Sequence, residues 1–333
     1  MIRMGVIGYG YWGPNIVRNF YNTAGVKVVS VCDGNPAALE RVAKIYPDIR
    51  LCKDSREITM APDIDAVAVV TPVSTHYELA RQALSNGKHV FVEKPLTATA
   101  AEAEDLIALA RKKQLIIMVD HTFVFTGAVR KIKQLIDEDV LGALYYYDST
   151  RVNLGLFQHD INVIWDLAPH DFSIMDYLLD KKPEAIVATG AGHLNGLEDV
   201  AYITAYFNDN MIAHLNVNWL SPVKVRTTLL GGEKRMLAWN DLEADEKIKI
   251  YDKGVEVHTA ENVYNLLVSY RSGDMWSPRL DQKEALSLEC RYFADSVETG
   301  QTPFNDGEAG HRIVKMLEAT THSLKKRGAI VYL

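Results

Sequence analysis

The sequence predicts an α/β protein: an N-terminal doubly wound parallel sheet over residues 1–121, then a second α/β domain over 122–333 built on an open, mostly antiparallel (mixed) sheet. Three observations predict it. Short runs rich in Val and Ile alternate with stretches of helical period through the first 120 residues, as strands buried on both faces do when helices cover them. A glycine-rich turn closes the first of these runs. Beyond residue 121 the runs lengthen and several alternate apolar with polar, the pattern of a sheet with one wet face.

In chain order, the strand candidates of the first part are Met4–Gly8, Val26–Cys32, Ala66–Val70, His89–Val92 and Ile116–Val119. Between them lie helical patterns at Ala37–Ile45, Tyr77–Leu84 and Ala98–Arg111, with Ser74, Thr75 and Thr97 as capping candidates ahead of the last two. Strand, helix, strand in repetition calls for right-handed crossovers and a parallel sheet. A helix near Gly127–Glu138 follows, then strand runs Leu144–Val152, Ala185–Thr189, Val200–Phe207, Met211–Trp219 and Val225–Leu230. In the fourth of these, Ala213, Leu215, Val217 and Trp219 face one way and Ile212, His214, Asn216 and Asn218 the other. Helices near Leu286–Glu298 and Glu308–Lys325 close the chain, and they are placed to pack back on the first domain. The partly apolar face of the second sheet predicts a homo-oligomer, a dimer or a tetramer.

Composition excludes several classes. At about 150 residues per domain, 333 residues give roughly two domains. With 48% hydrophobic and 24% charged residues, disorder, collagen and coiled coil are set aside. The formal net charge is −7 and there is no long basic run, so nucleic acid is not an expected partner. No apolar window is long enough for a membrane span, and the chain opens on a strand-like segment rather than a secretory leader. Cys32, Cys52 and Cys290 lack a CxxC pattern and leave an odd one over, which predicts a cytoplasmic protein with no metal site.

Gly8-Tyr9-Gly10-Tyr11-Trp12-Gly13 fits GxGxxG at the end of a strand and the start of a helix, with Asp33 ending the second strand. That context makes it a Rossmann dinucleotide fingerprint. The first glycine makes the tight turn, the second admits the pyrophosphate, and the third lets helix and strand close up; the phosphates then lie on the helix N-terminus. Asp33 would accept the adenosine ribose hydroxyls and repel a 2′-phosphate, which favours NAD over NADP. The other reading is a plain strand-to-helix turn with Asp33 as a cap before Asn35-Pro36, and a methyltransferase also uses a glycine loop with an acid.

Lys94, in Glu93-Lys94-Pro95, ends the strand His89–Val92, and in an open parallel sheet the carboxyl ends of the strands line the ligand crevice. Pro95 keeps Lys94 out of the helical region and stiffens the turn. Asp166 and His170 stand four apart in Asp166-Leu167-Ala168-Pro169-His170-Asp171 and share a face if the segment is helical. An imidazole with a pKa near 6.5 can take an alcohol proton at neutral pH, while Lys94 supplies charge where alkoxide develops. A solvated lysine, a helix-start histidine and an Asp166 N-cap are the plainer alternatives.

Together the glycine turn, Glu93-Lys94-Pro95 and the Asp166-to-His170 spacing resemble the Gfo/Idh/MocA oxidoreductases over essentially the whole chain. The resemblance implies hydride transfer between a sugar or cyclitol carbon and NAD, with Lys94, Asp166 and His170 as the catalytic set and His170 as acid/base. It also implies that Thr71, Pro72, His76 and Glu93 line the nicotinamide side, alongside cofactor contacts from Gly8, Gly10, Tyr11, Trp12, Gly13, Asp33 and Lys94. It adds an open second sheet that often forms an oligomer interface.

A narrower resemblance lies in Arg151-Val152-Asn153-Leu154-Gly155, in Trp165 to Asp171 and in Asn218 to Arg226. It is to the bacterial branch that oxidises nucleotide-linked sugars at C3, and it implies a UDP- or dTDP-sugar substrate. Arg151, Lys224, Arg226 and Arg271 then become candidate diphosphate ligands and Asn153 a sugar contact; as surface charges and a turn residue they have ordinary roles too. Tyr264, Tyr270 and Trp276 fall in an expected loop, where they would stack a base or pack an edge. His311 departs from the family pattern and is assigned no role. A free substrate such as myo-inositol or a hexose, and a dinucleotide-binding sensor without catalysis, are the alternatives to a nucleotide sugar.

Overall fold

The computed structural model describes residues 1–155, 161–194, 196–257 and 268–333. The chain divides into two compact units, Met1–Phe125 with Lys283–Glu318, and Thr126–Gln282 with Ala319–Leu333.

In the first unit β1 (Ile2–Ile7), β2 (Val26–Cys32), β3 (Arg50–Cys52), β4 (Ala66–Val69), β5 (His89–Glu93) and β6 (Ile117–Asp120) form a six-stranded sheet in the order β3-β2-β1-β4-β5-β6. Every pairing is parallel. Each connection must therefore cross the sheet, which is why strand and helix alternate in the sequence. Helices α1 (Gly13–Asn22), α2 (Pro36–Ile45), α3 (Arg56–Thr59), α4 (His76–Ser85) and α5 (Ala100–Lys113) make the crossovers. Ala66, Val67, Ala68 and Val69 are all fully buried, as a central strand covered on both faces requires. The strand order reverses between β1 and β4, opening a crevice at the carboxyl ends of the strands.

The caps differ from those the sequence suggested. Helix α5 starts at Thr99, whose side chain accepts from Glu102 N while Glu102 returns the bond, a complete capping box. Thr97 instead donates its hydroxyl to Thr99 O at 2.7 Å. Thr75 donates to Pro72 O at 2.8 Å and does not cap α4, nor does Ser74, because a short 3-10 turn over Val73–Thr75 leads into that helix.

The second unit holds α6 (Gly127–Asp137), β7 (Leu144–Leu154), α7 (Val163–Leu178), β8 (Ala185–Ala191), β9 (Val200–Tyr206), β10 (Ile212–Asn218), β11 (Leu220–Gly232), β12 (Met236–Asn240), β13 (Ile248–Val257), β14 (Val268–Trp276) and β15 (Val331–Tyr332). Its nine strands run β14-β13-β12-β11-β7-β10-β9-β8-β15. Strands β7 and β10 pair in parallel and the other neighbours antiparallel, so the sheet is mixed and mostly antiparallel. Along β10, Ala213, Leu215 and Val217 are fully buried under α7 while Ile212 is 40% exposed, as the alternation predicted. Tyr270 and Trp276, expected in a loop, lie in β14, where pairing with β13 makes a strand of the segment. Tyr264 lies outside the described residues.

Helices α8 (Ala285–Thr299) and α9 (Gly307–Lys325) follow. From α8, Phe293 meets Phe20 and Phe91 edge-on, with ring centroids 5.9 and 5.5 Å away, at the centre of the first unit's core. All three cysteines are free and buried. Among the described residues no helix is long and apolar enough to cross a membrane, and no group of His, Cys, Asp or Glu is arranged to hold a metal.

Candidate active site

In the first unit the chain leaves β1 and turns through residues 8–12 into α1. Gly8 has φ +102°, and a Cβ there would stand 2.2 Å from the Val70 carbonyl oxygen, so only glycine fits. A Cβ at Gly13 would meet Gly8 O at 2.5 Å. A Cβ at Gly10 would meet nothing within 4 Å, so the ground in front of it is left open, as a pyrophosphate needs. Asp33 spans the turn: Oδ2 accepts from Tyr9 N and Oδ1 from Asn35 N, both at 2.7 Å. Asn35, not Asp33, caps α2, its side chain accepting from Ala37 N. Each Asp33 oxygen keeps acceptor capacity for a ribose hydroxyl. A cleft lined by Gly8, Gly10, Asp33, Thr71 and Pro72 runs along these groups, so the residues present fit a dinucleotide. Tyr11 is 88% exposed at the tip of the turn, while Trp12 points inward and donates its indole N–H to Asp120 Oδ2 at 2.8 Å.

The expected nicotinamide side divides into surface and support. Thr71 and Pro72 border the cleft. His76 is 1% exposed and bridges two carbonyls, Thr71 O at 2.7 Å and Pro95 O at 2.9 Å. It ties the turn after β4 to the turn after β5. Burial lowers its pKa, with the two carbonyls opposing. Lys94 is half-buried after β5, and the Lys94–Pro95 peptide is cis. Beside it Glu93 is held well above the usual carboxylate range, by burial first and by Asp120 second.

In the second unit the Asp166-to-His170 segment is helical, as the spacing required. Asn162 caps α7, its side chain accepting from Trp165 N at 3.0 Å, so Asp166 is a first-turn residue and not the cap. Asp166 Oδ2 accepts the indole N–H of Trp219 at 3.3 Å. His170 follows one turn on, half-buried. The next residue, Asp171, is 2% exposed and accepts from Arg151 Nε at 2.7 Å, Arg151 Nη2 at 3.2 Å and Ser149 Oγ at 2.8 Å. Helix α7 thus lies with Asp171 over the middle of β7 and Asp166 over the end of β10.

Two expected diphosphate ligands have other work. Arg151 is 5% exposed with its guanidinium turned onto Asp171, so it is an internal counter-ion and not a surface cation. Arg271 lies on the edge strand β14, four strands from β7, and donates to Asp252 Oδ1 at 2.8 Å and to the Lys234 carbonyl. Asn153 and Lys224 lie in neighbouring strands at the bulge of β11: Asn153 follows Val152 and Lys224 precedes Val225, its partner. Arg226 is part-buried and 3.6 Å from Asp241.

Three acids escaped the sequence. Asp120 and Glu289 meet behind the glycine turn, and Asp199, which has its side chain fully buried, accepts from His193 Nδ1 at 2.7 Å. No spacing rule joins residues 120 and 289, or marks a histidine in a hairpin loop.

Residues 2–121 match the family model described as "Oxidoreductase family, NAD-binding Rossmann fold" of the Gfo/Idh/MocA proteins, and residues 129–237 match the GFO/IDH/MocA C-terminal domain. The chain is similar to the UDP-N-acetylglucosamine 3-dehydrogenase of Acidithiobacillus ferrooxidans, 26% identical over 94% of both chains. A solved structure of that enzyme superposes with a TM-score of 0.81 at 25% identity over 98% of both chains. It is also similar to the scyllo-inositol 2-dehydrogenase (NAD(+)) of Bacillus subtilis, 26% identical over 91% of this chain and 88% of that one.

Proposed function

The chain belongs to the Gfo/Idh/MocA oxidoreductase family, and from that premise we propose that it oxidises a UDP- or dTDP-linked sugar at the C3 carbinol. NAD, when bound, supplies the hydride acceptor. His170 takes the hydroxyl proton as the hydride leaves, and Lys94 offers positive charge to the oxygen as alkoxide character develops. Asp166, one turn earlier on the same helix face, orients the imidazole. Gly8, Gly10, Gly13 and Asp33 hold the dinucleotide, with Thr71, Pro72 and Glu93 on its nicotinamide side.

The observation that carries the nucleotide-sugar reading is the likeness, over 94% of both chains, to an enzyme named for UDP-N-acetylglucosamine. Asn153 and Lys224, both at the bulge between β7 and β11, support it as the sugar and phosphate contacts; Arg151 and Arg271 do not, being engaged elsewhere. The equal identity to an inositol dehydrogenase favours a second reading, a free cyclitol or hexose. We also infer a cytoplasmic homodimer or homotetramer, assembled through the face of the second sheet that carries Tyr202, Tyr206, Ile212 and Leu229, each at least 40% exposed.

Mass spectrometry of products after incubation with NAD and a panel of UDP-sugars, dTDP-sugars and myo-inositol tests the substrate. Loss of two hydrogens from a nucleotide sugar is the expected result. Turnover of inositol alone overturns it in favour of the second reading, and no turnover on any member revives a non-catalytic sensor.

A further inference from the structure

Asp120, the last residue of β6, is 2% exposed and engages both carboxylate oxygens: Oδ2 accepts the Trp12 indole N–H at 2.8 Å and Oδ1 the Thr122 hydroxyl at 2.5 Å. Trp12 is the fifth residue of the glycine turn and the N-cap position of α1. The bond therefore fastens the turn after β1 to the end of a strand three places along the sheet.

Two more carboxyls converge on the same acceptor. Glu93 is Asp120's register partner on β5, and the Asp120 charge disfavours ionisation of its carboxyl. Glu289 feels the same charge from α8, and its Oε1 accepts from His121 N at 3.0 Å and Asn305 Nδ2 at 3.2 Å. Buried carboxyls this close disfavour one another's ionisation. The Oε2 atoms of Glu93 and Glu289 are enclosed there with no hydrogen-bond partner. Burial and the Asp120 charge hold both glutamates well above their usual range, in the same direction. Lys94 adjoins this group from the turn after β5, and Cys290 from α8.

We propose that Asp120 is a positioning residue for the dinucleotide: by holding Trp12 it fixes the backbone amides of the glycine turn where the pyrophosphate must meet them. A cofactor contact made by backbone amides is only as good as the turn that aims them. The indole–carboxylate bond supplies that aim from inside the fold, with no atom of Asp120 touching the ligand.

The test is NAD affinity by titration calorimetry on the full-length protein, for wild type, Trp12→Phe, Asp120→Asn and the double variant. Phe keeps a ring and removes only the N–H. Each single variant is expected to raise Kd about tenfold, the scale of one lost hydrogen bond to a charged group. The double variant should be no weaker than the worse single, because both changes cut the same bond. A Trp12→Phe protein within about twofold of wild type overturns the proposal, as do single effects that multiply in the double variant. Lowered melting temperatures with unchanged Kd overturn it too, since they leave Asp120 a structural role alone. Should Asp120→Asn fail to fold, Trp12→Phe decides the matter. Cofactor affinity is independent of which sugar is oxidised, so the outcome stands apart from the substrate assignment.

Discussion

His170 is where binding and chemistry should separate. Replacing it with Ala is expected to lower kcat by ~10²–10⁴, the usual contribution of a positioned acid/base, with NAD affinity by calorimetry within about twofold of wild type. A loss under about tenfold would leave another group as the base. Glu289 allows a test of sign. Its carboxyl is held above the ordinary value near 4.3, so the folded chain binds more protons than the unfolded one between those two pKa values. Stability contributed by this group is therefore lost as pH rises from about 4.3 towards the folded pKa. Glu289→Gln keeps the neutral shape and should flatten the fall of melting temperature with pH; an unchanged slope would mean that Glu289 is ionised in the fold. At this scale the sequence singled out candidates that sit in short motifs, such as Asp33 and Lys94. It hid Asp120 and Glu289, whose meeting depends on α8 returning from 170 residues downstream to pack behind the glycine turn.

Elements show the same division between local and distant causes. The α5 cap is local, and Thr99→Ala should cost about 1 kcal/mol in chemical denaturation, with Thr97→Ala costing less because its hydroxyl serves a turn. Choosing Thr97 from sequence was a two-residue error of the kind helix ends invite. For α7, the buried Arg151–Asp171 pair sets position on the sheet. Asp171→Ala leaves a guanidinium buried without its carboxylate and should destabilise by ~3–5 kcal/mol, read as a drop in denaturation midpoint. Arg151 read as a surface cation because strand alternation tells which residues share a face, not which face a helix covers. Strand β10 was legible since its alternation matches its burial. Strand β14 was not, because Gly273-Asp274 reads as a turn in isolation and becomes strand only through pairing with β13.

For the whole molecule, the open face of the second sheet presents Tyr206 opposite Ile212, with Tyr202 stacked on His214. Light scattering on the eluted protein should give a mass that is a multiple of 37.3 kDa, and Ile212→Arg with Tyr206→Arg should reduce it to one chain. A wild type that elutes as a single chain would remove the sheet face from the proposed assembly. The fold as two sheets followed from rhythm alone, and the return of the closing helices to the first domain was expected too; the boundary that places residues 283–318 in the first unit and 319–333 in the second was not, since nothing local divides the last helix.

That path has a consequence for how the protein is made. The nucleotide-binding unit is begun at Met1 and completed only by residues 283–318, after the whole of 126–282 has been translated. At ~5–20 residues per second the ribosome takes roughly 8–30 s over that interval. Throughout it Phe20 and Phe91 wait for Phe293, and Asp120 waits for Glu289. The first half of the nascent chain is thus an unfinished core on the scale of seconds, a client for whatever chaperone guards exposed aromatic surface, and a stop codon anywhere before α8 would release the sheet with Phe20 and Phe91 uncovered by Phe293.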